Sequence, residues 1–146
     1  MRFKSRVAVM AIIIKDNKIL LQKRKNTEFM NNQWDFAATG HVEENEKLTS
    51  AIIREAKEEI GICITKLDFV HIEYLRISDE ITYTNVYFNV IEFTGMPKIC
   101  EDNKISRLEW FDLDGLPVDI VQNRRRILEN IKNKQLISEV GFKDNK

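Results

Sequence analysis

Apolar positions run almost unbroken from Val7 to Ile14, and β-branched residues dominate the run. A continuous run of this kind, bounded by polar residues, predicts a strand covered on both faces, here over Ser5–Ile14. The polar stretch Lys15–Lys18 (KDNK) predicts a turn, and Ile19–Lys23 a second strand, so the segment reads as a hairpin. Thr27–Asn32 is polar and predicts a loop; Trp34–Ala38 is a short candidate strand. The period then changes. Leu48, Ile52, Ala56 and Ile60 recur every four residues, which predicts a helix over Leu48–Ile60 with one apolar stripe. Asn45 is the candidate N-cap, Glu46 suits the positive helix start, and Gly61 stands where a C-terminal glycine belongs.

Strand-like sequence follows. Ile62–Leu75 is rich in β-formers, Ile81–Phe93 alternates for part of its length, and Glu109–Leu113 is a further short strand. Pro117 and Val118 lead into a second helix over Ile120–Leu136, and the tail from Gly141 reads as frayed. Strands around two well-separated helices predict an α/β fold: a mixed sheet with a helix on each face.

Composition narrows the picture. The 146 residues are expected to form a single domain, 1–146, and 43% hydrophobic content suffices for a core. Acidic and basic residues balance at 23 each, so net charge points to no membrane surface and no specific nucleic-acid partner. The two cysteines, Cys63 and Cys100, give no disulfide framework and read as small buried hydrophobes in a reducing compartment. The first apolar run is too short to span a bilayer and lacks a small-residue cleavage site, so it is read as a strand of a cytoplasmic protein.

The chemistry concentrates in one segment. Glu55, Glu58 and Glu59 fall within about 100° of helical arc. Like charges at this spacing cost a helix roughly 0.2–0.5 kcal/mol per pair, so a compensating partner is expected. A solvated acidic face would suffice for an isolated EAKEE. A hard divalent cation is the alternative, because Mg2+ takes carboxylate oxygens and shares them with substrate phosphates. Arg54 can orient a carboxylate, with Glu46 as its candidate partner. Gly40 would free the loop backbone for an unusual conformation or a close approach to a metal.

The full spacing decides between these readings. Gly40, five residues, Glu46, seven residues, then Arg54-Glu55-Ala56-Lys57-Glu58-Glu59-Ile60-Gly61-Ile62 resembles the box of the Nudix hydrolases, with Ala56 a small occupant of an aliphatic position. Seven fixed identities at ordinary residue frequencies coincide on the order of once in a billion start sites. Trp34 resembles the tryptophan that precedes the box, Ile19–Arg24 the strand ending in an arginine near the phosphates, and Cys100–Pro117 the late segment of nucleotide-acting members such as the MutT-like nucleoside triphosphate pyrophosphohydrolases.

The resemblance implies an α/β/α sandwich with a mixed sheet and the Nudix loop-helix. It implies Mg2+- or Mn2+-dependent hydrolysis of a pyrophosphate in a nucleoside diphosphate-linked substrate. Glu55 and Glu59 would be metal ligands and Glu58 a further ligand or the base; which glutamate activates water differs within the family. Arg54 would orient, paired with Glu46, and the backbone carbonyl of Thr39 would be another ligand. Thr39 stands where many members have a second glycine. Arg24 is a candidate phosphate contact or a surface arginine. Glu101 is a candidate late metal ligand or base, or a solvated loop residue. Gly40 would approach the substrate.

A nucleoside triphosphate, ordinary or oxidised, is the favoured substrate; dinucleoside polyphosphates, nucleotide sugars and RNA 5′ ends stay open. A non-catalytic nucleotide-binding module is the rival function, but a pure binder has no need of the acidic set. Trp34, Phe36, Tyr74, Tyr83, Tyr87, Phe88 and Trp110 are core residues or base-stacking candidates. His41 and His71 read as structural or surface residues, with His41 close enough to the loop to approach phosphate, and Arg124–Arg126 as a solvated helix face in preference to a phosphate or RNA contact. A homodimer is common in the resembling family.

Overall fold

The computed structural model of the chain describes residues 1–27 and 30–143. Its elements in order are β1 (Arg6–Ile12), β2 (Ile14–Lys15), β3 (Lys18–Arg24), β4 (Trp34–Phe36), β5 (Ala38–His41), α1 (Leu48–Ile60), β6 (Cys63–Arg76), β7 (Thr82–Thr94), β8 (Ile105–Asp112), α2 (Arg124–Lys132) and β9 (Ile137–Val140). A five-stranded mixed sheet runs β5-β1-β7-β6-β9, with β1–β7 and β6–β9 parallel and the other pairs antiparallel. A smaller antiparallel sheet is built around β3, which pairs with β2, β4 and β8.

Strand alternation divides the core in two. Val9 and Ala11 of β1 join Ile52, Ala56 and Ile60 of α1, while Ala8, Met10 and Ile12 join Ile120 and Ile127 on the opposite face. The unbroken apolar run of β1 is therefore covered on both faces, as its sequence predicts. The expected mixed sheet with a helix on each side is present.

Several local expectations change. The hairpin exists, but between β2 and β3; β1 pairs with β5 and β7 in the other sheet. Asp16 and Asn17 both take positive φ, the primed-turn geometry that a two-residue hairpin requires. Helix α1 has the expected bounds and Gly61 caps it at φ 71°. Asn45 is not its N-cap: at φ 63° it lies in a left-handed turn, and Lys47 occupies the cap position without a side-chain bond. Leu48 is exposed and Ala51 takes its place in the buried stripe.

Helix α2 is shorter than expected at both ends. The Val121 N–H donates to Trp34 O at 2.7 Å and the Trp34 N–H to Asp119 O at 3.0 Å, so this stretch is tied to β4. After α2, Lys134 turns the chain at φ 58° into β9, a strand the sequence did not announce. β8 starts at Ile105, four residues before the expected strand, because pairing with β3 extends back to Arg24; only Ile105 of its first four residues is buried, so the stretch shows no apolar period.

The tail does not simply fray. Phe142 stacks on Tyr74 with ring centroids 5.4 Å apart. Residues 144–146 of the expected frayed tail, and Glu28 and Phe29 of the expected loop, lie outside the described residues. Both cysteines are free and exposed, against expectation. Cys63 opens β6, and alternation that buries Ile64 turns Cys63 outward. No described helix is long and apolar enough to cross a membrane.

Candidate active site

The three glutamates of α1 do not share one environment. Glu59 is buried, the Glu55 side chain is 14% exposed and the Glu58 side chain 52% exposed. The helix turns its acidic arc from the core edge out to solvent across these residues. Arg54 organises the outer part. Its Nε donates to Glu46 Oε2 at 2.8 Å and its Nη2 to Glu46 Oε1 at 3.0 Å, the bidentate pair the spacing predicts. Its Nη1 donates to Glu55 Oε1 at 2.8 Å and to Glu58 Oε2 at 3.2 Å, and Nη2 also reaches His41 O at 3.2 Å. The Arg54 hydrogen bond and the N–H of Glu43 hold the Glu46 carboxyl down at about 2. The same bond from Glu46 raises Arg54 further above its ordinary value. Arg54 is thus spent on fixing the loop and two carboxylates.

Glu59 is fixed from the other side. Gln22 Nε2 donates to Glu59 Oε1 at 3.1 Å, and the Thr39 N–H donates to Glu59 Oε2 at 3.2 Å. Gln22 also donates to Phe36 O and Ala37 O, which ties the β4–β5 corner to the helix. Burial, reinforced by a hydrogen bond to the Glu55 carboxyl, pushes Glu59 up to about 9. A carboxyl buried in this way keeps its proton unless a cation replaces it.

Gly40 makes the room. It adopts no left-handed backbone; instead a Cβ there would lie 2.2 Å from Glu55 Cδ. The unusual backbone expected at this glycine is absent, and what comes close to it is the Glu55 carboxyl. Among the described residues, no three Asp, Glu, His or Cys side chains converge into a ready cation cage. The Glu55–Glu59 pair is the concentrated set of anionic oxygen donors, and it fits a hard divalent cation that takes its remaining ligands from backbone oxygen, water or phosphate.

Glu55 and Glu59 open onto a cavity of about 900 Å3. Arg24, Thr39, Gly40 and Glu101 line it as well; Glu46, Arg54 and Glu58 lie outside its lining. Glu101 reaches the wall because its segment is stapled to the end of α1: the Lys98 N–H donates to Ile60 O at 3.0 Å and the Cys100 N–H to Glu59 O at 2.9 Å. Of the seven aromatic candidates, Tyr83 alone lines the cavity. Trp34, Phe36, Tyr87 and Phe88 are core. Tyr83 bonds His41 Nε2 at 3.1 Å and carries Arg6 over its ring at 5.8 Å.

Of the arginine run on α2, Arg125 and Arg126 are exposed, as a solvated face requires, but Arg124 is not. Arg124 is buried, donating from Nε to Asp35 Oδ1 at 2.6 Å, from Nη2 to Asp35 Oδ2 at 3.2 Å and from Nη1 to the Tyr87 hydroxyl at 2.9 Å. Burial opposes ionisation of Asp35, but Arg124, Arg24 and the Phe36 N–H outweigh it and hold the carboxyl below its ordinary value. Glu73, fully buried, accepts from Asn85, Tyr87 and Asn123. These residues escaped sequence reading. The available signal was polar side chains inside apolar strands, Gln22 within ILLQKR and Asp35 within WDF. His71, also fully buried, bonds Gln135 O at 2.7 Å and Ser138 Oγ at 2.8 Å, joining β6 to β9.

Known proteins share this sequence and fold. The chain is 41% identical over 61 residues to an 8-oxo-dGTP diphosphatase of Buchnera aphidicola, covering 42% of this chain and 46% of that one. It is 37% identical over 113 residues to an ADP-ribose pyrophosphatase of Methanocaldococcus jannaschii, covering 76% of this chain and 64% of that one. The chain therefore spans less than two thirds of the length of either relative. The crystal structure of a MutT NUDIX hydrolase from Burkholderia pseudomallei superposes with a TM-score of 0.79 at 28% identity, covering 87% of this chain and 98% of that one. The NUDIX domain model matches residues 4–131, and the chain belongs to that family.

Proposed function

We propose that this chain is a divalent-cation-dependent nucleotide pyrophosphohydrolase that converts a nucleoside triphosphate and water to a nucleoside monophosphate and pyrophosphate. The observation that carries the reading is the Glu55–Glu59 carboxyl pair, Glu59 buried and Glu55 lying over Gly40, on the same cavity as Arg24. Glu55, Glu59 and the carbonyl of Thr39 would hold Mg2+ or Mn2+, with Glu101, from the late segment, as a further ligand on the same cavity. Bound there, the cation supplies charge neutralisation for the phosphates and acidifies water.

The chain's own residues do the rest. Arg54 fixes Glu55 and Glu58 against Glu46, so neither must be ordered when substrate arrives. Gln22 and the Thr39 N–H fix Glu59. Arg24 takes a phosphate oxygen. A carboxylate of the box removes the proton from the attacking water; among the described residues Glu55 and Glu58 each accept a hydrogen bond from Arg54 alone, which leaves both with acceptor capacity. The cavity's volume matches a nucleotide-sized ligand. Free, exposed cysteines support a reducing, cytoplasmic setting, with residues 1–146 working as one domain.

The bacterial relative's name supports a triphosphate substrate. The archaeal relative, aligned over 76% of this chain, favours a second reading, a nucleoside diphosphate-linked sugar. The test is product analysis with Mg2+ and a panel of dGTP, 8-oxo-dGTP, CTP and ADP-ribose. Monophosphate plus pyrophosphate from a triphosphate is expected. Cleavage of ADP-ribose alone would move the assignment to the second reading, and binding without turnover of any member would leave a nucleotide-binding module.

A further inference from the structure

Two guanidinium groups share one buried carboxylate in this fold. Asp35, 1% exposed, accepts Arg124 through both oxygens and accepts Arg24 Nη1 on Oδ2 at 3.2 Å. Arg124 already satisfies Asp35 as a bidentate pair, so Arg24 is an extra positive charge at the cavity wall. The nearby Glu73 does not cancel it, because Glu73 is reached through Tyr87 and Asn123 and carries its own cation, Arg126 Nη2, at 3.7 Å.

Arg24 is held at a second point. Its Nη1 also donates to Thr39 Oγ1 at 3.4 Å, while the Thr39 N–H holds Glu59. A register shift between Lys23 and Arg24 in the β3–β8 ladder re-aims the side chain at the strand end. Nη1 is thus consumed inside the protein, whereas Nε is buried with no hydrogen-bond partner among the described residues. An unpaired buried donor costs free energy unless a ligand satisfies it.

We infer that Asp35, anchored by Arg124, and the Thr39 hydroxyl form a clamp that holds the Arg24 guanidinium at the cavity wall to receive a substrate phosphate. Asp35 and Arg124 are then positioning residues that act through Arg24. The continuous path Arg124–Asp35–Arg24–Thr39–Glu59 sets the phosphate contact and the acidic pair in one frame. The clamp rests on the proposed pyrophosphohydrolase reading for the identity of its anion.

The test is calorimetric binding of inorganic pyrophosphate in Mg2+, with thermal melts alongside. Arg24→Ala is expected to weaken binding roughly 10- to 100-fold and Asp35→Asn about 10-fold, the range for hydrogen bonds to charged groups. The double variant is expected to match Arg24→Ala alone, because the two act as one unit. Thr39→Val, which removes only the hydroxyl contact, is expected to weaken binding a few-fold in the parent and not in Arg24→Ala; it carries the same cycle if Asp35→Asn fails to fold. A merely structural role for Asp35 would give equal losses in both backgrounds and would overturn the clamp. So would unaltered affinity in Arg24→Ala. Because binding is the readout, absence of turnover alongside an intact cycle would sink the hydrolase reading and leave the clamp standing.

Discussion

The carboxyl of Glu55 lies over the Cα of Gly40, so that a methyl group there would meet Glu55 Cδ at 2.2 Å. The clash falls on the far end of one side chain, the carboxyl that Arg54 holds, and not on backbone. Gly40→Ala is therefore expected to keep the fold, with little change in melting temperature, and to displace Glu55. Misplacement by about 1 Å costs on the order of 10²-fold in kcat. Steady-state kinetics and a thermal melt on one preparation check this; full activity would show that the position of Glu55 is uncritical.

Removing one charge from the buried pair should act more strongly. Glu55→Gln and Glu59→Gln are each expected to lower kcat by about 10²- to 10⁴-fold. Glu58→Gln is expected to lower it less if Glu55 or Glu59 can take over its role, and by as much if Glu58 is the base. Chelation of divalent cations should abolish turnover of the parent. Near-parental hydrolysis by both Glu55→Gln and Glu59→Gln would refute the metal role.

Proton and cation should compete at Glu59. Its folded value of about 9 exceeds the ordinary 4.5, so the folded state binds this proton more tightly than the unfolded chain. The contribution is complete below pH 4.5 and is lost as pH rises toward about 9. The metal-free protein is expected to lose melting temperature across that window relative to Glu59→Gln. Stabilisation by Mg2+ should grow over the same window, with proton release visible by calorimetry in buffers of different ionisation enthalpy. A pH-independent Mg2+ shift would contradict this.

Arg124 and Asp35 make an acid-side and a stability expectation. Asp35 titrates below its ordinary 3.8, so its contribution is present above that pH and is lost as pH falls through the depressed folded value. Arg124→Met would leave the buried carboxylate short of its main partner, which typically costs about 3–5 kcal/mol. Urea denaturation at pH 7 measures the loss. Repeating it near pH 4 should show a smaller difference, since Asp35 in the variant can then protonate.

Much of the fold was legible because period and burial agree. Leu48–Ile60 repeats at helical spacing and Gly61 ends it; the β1 run is apolar on both faces and is buried on both. Expectations failed where long-range partners override local pattern. Ile120 and Val121 look helical but bond Trp34, and β9 has too few apolar residues to declare itself before β6 pairs with it. Asn45 resembles a cap by type, yet the bonds from Glu46 to Glu43 and Arg54 shape that loop instead.

The sequence by itself determined the family box, the Arg54–Glu46 pairing and the acidic helix, because spacings within one helix and its loop convert directly into proximity. Only the tertiary structure decided that Glu59 goes inward, Glu58 outward and Glu55 onto Gly40, because that division depends on which face of α1 meets Gln22 and Thr39 from other strands. It likewise decided that Arg124, 89 residues from Asp35 along the chain, closes on it and so secures Arg24. Contacts between residues that far apart leave no period to read.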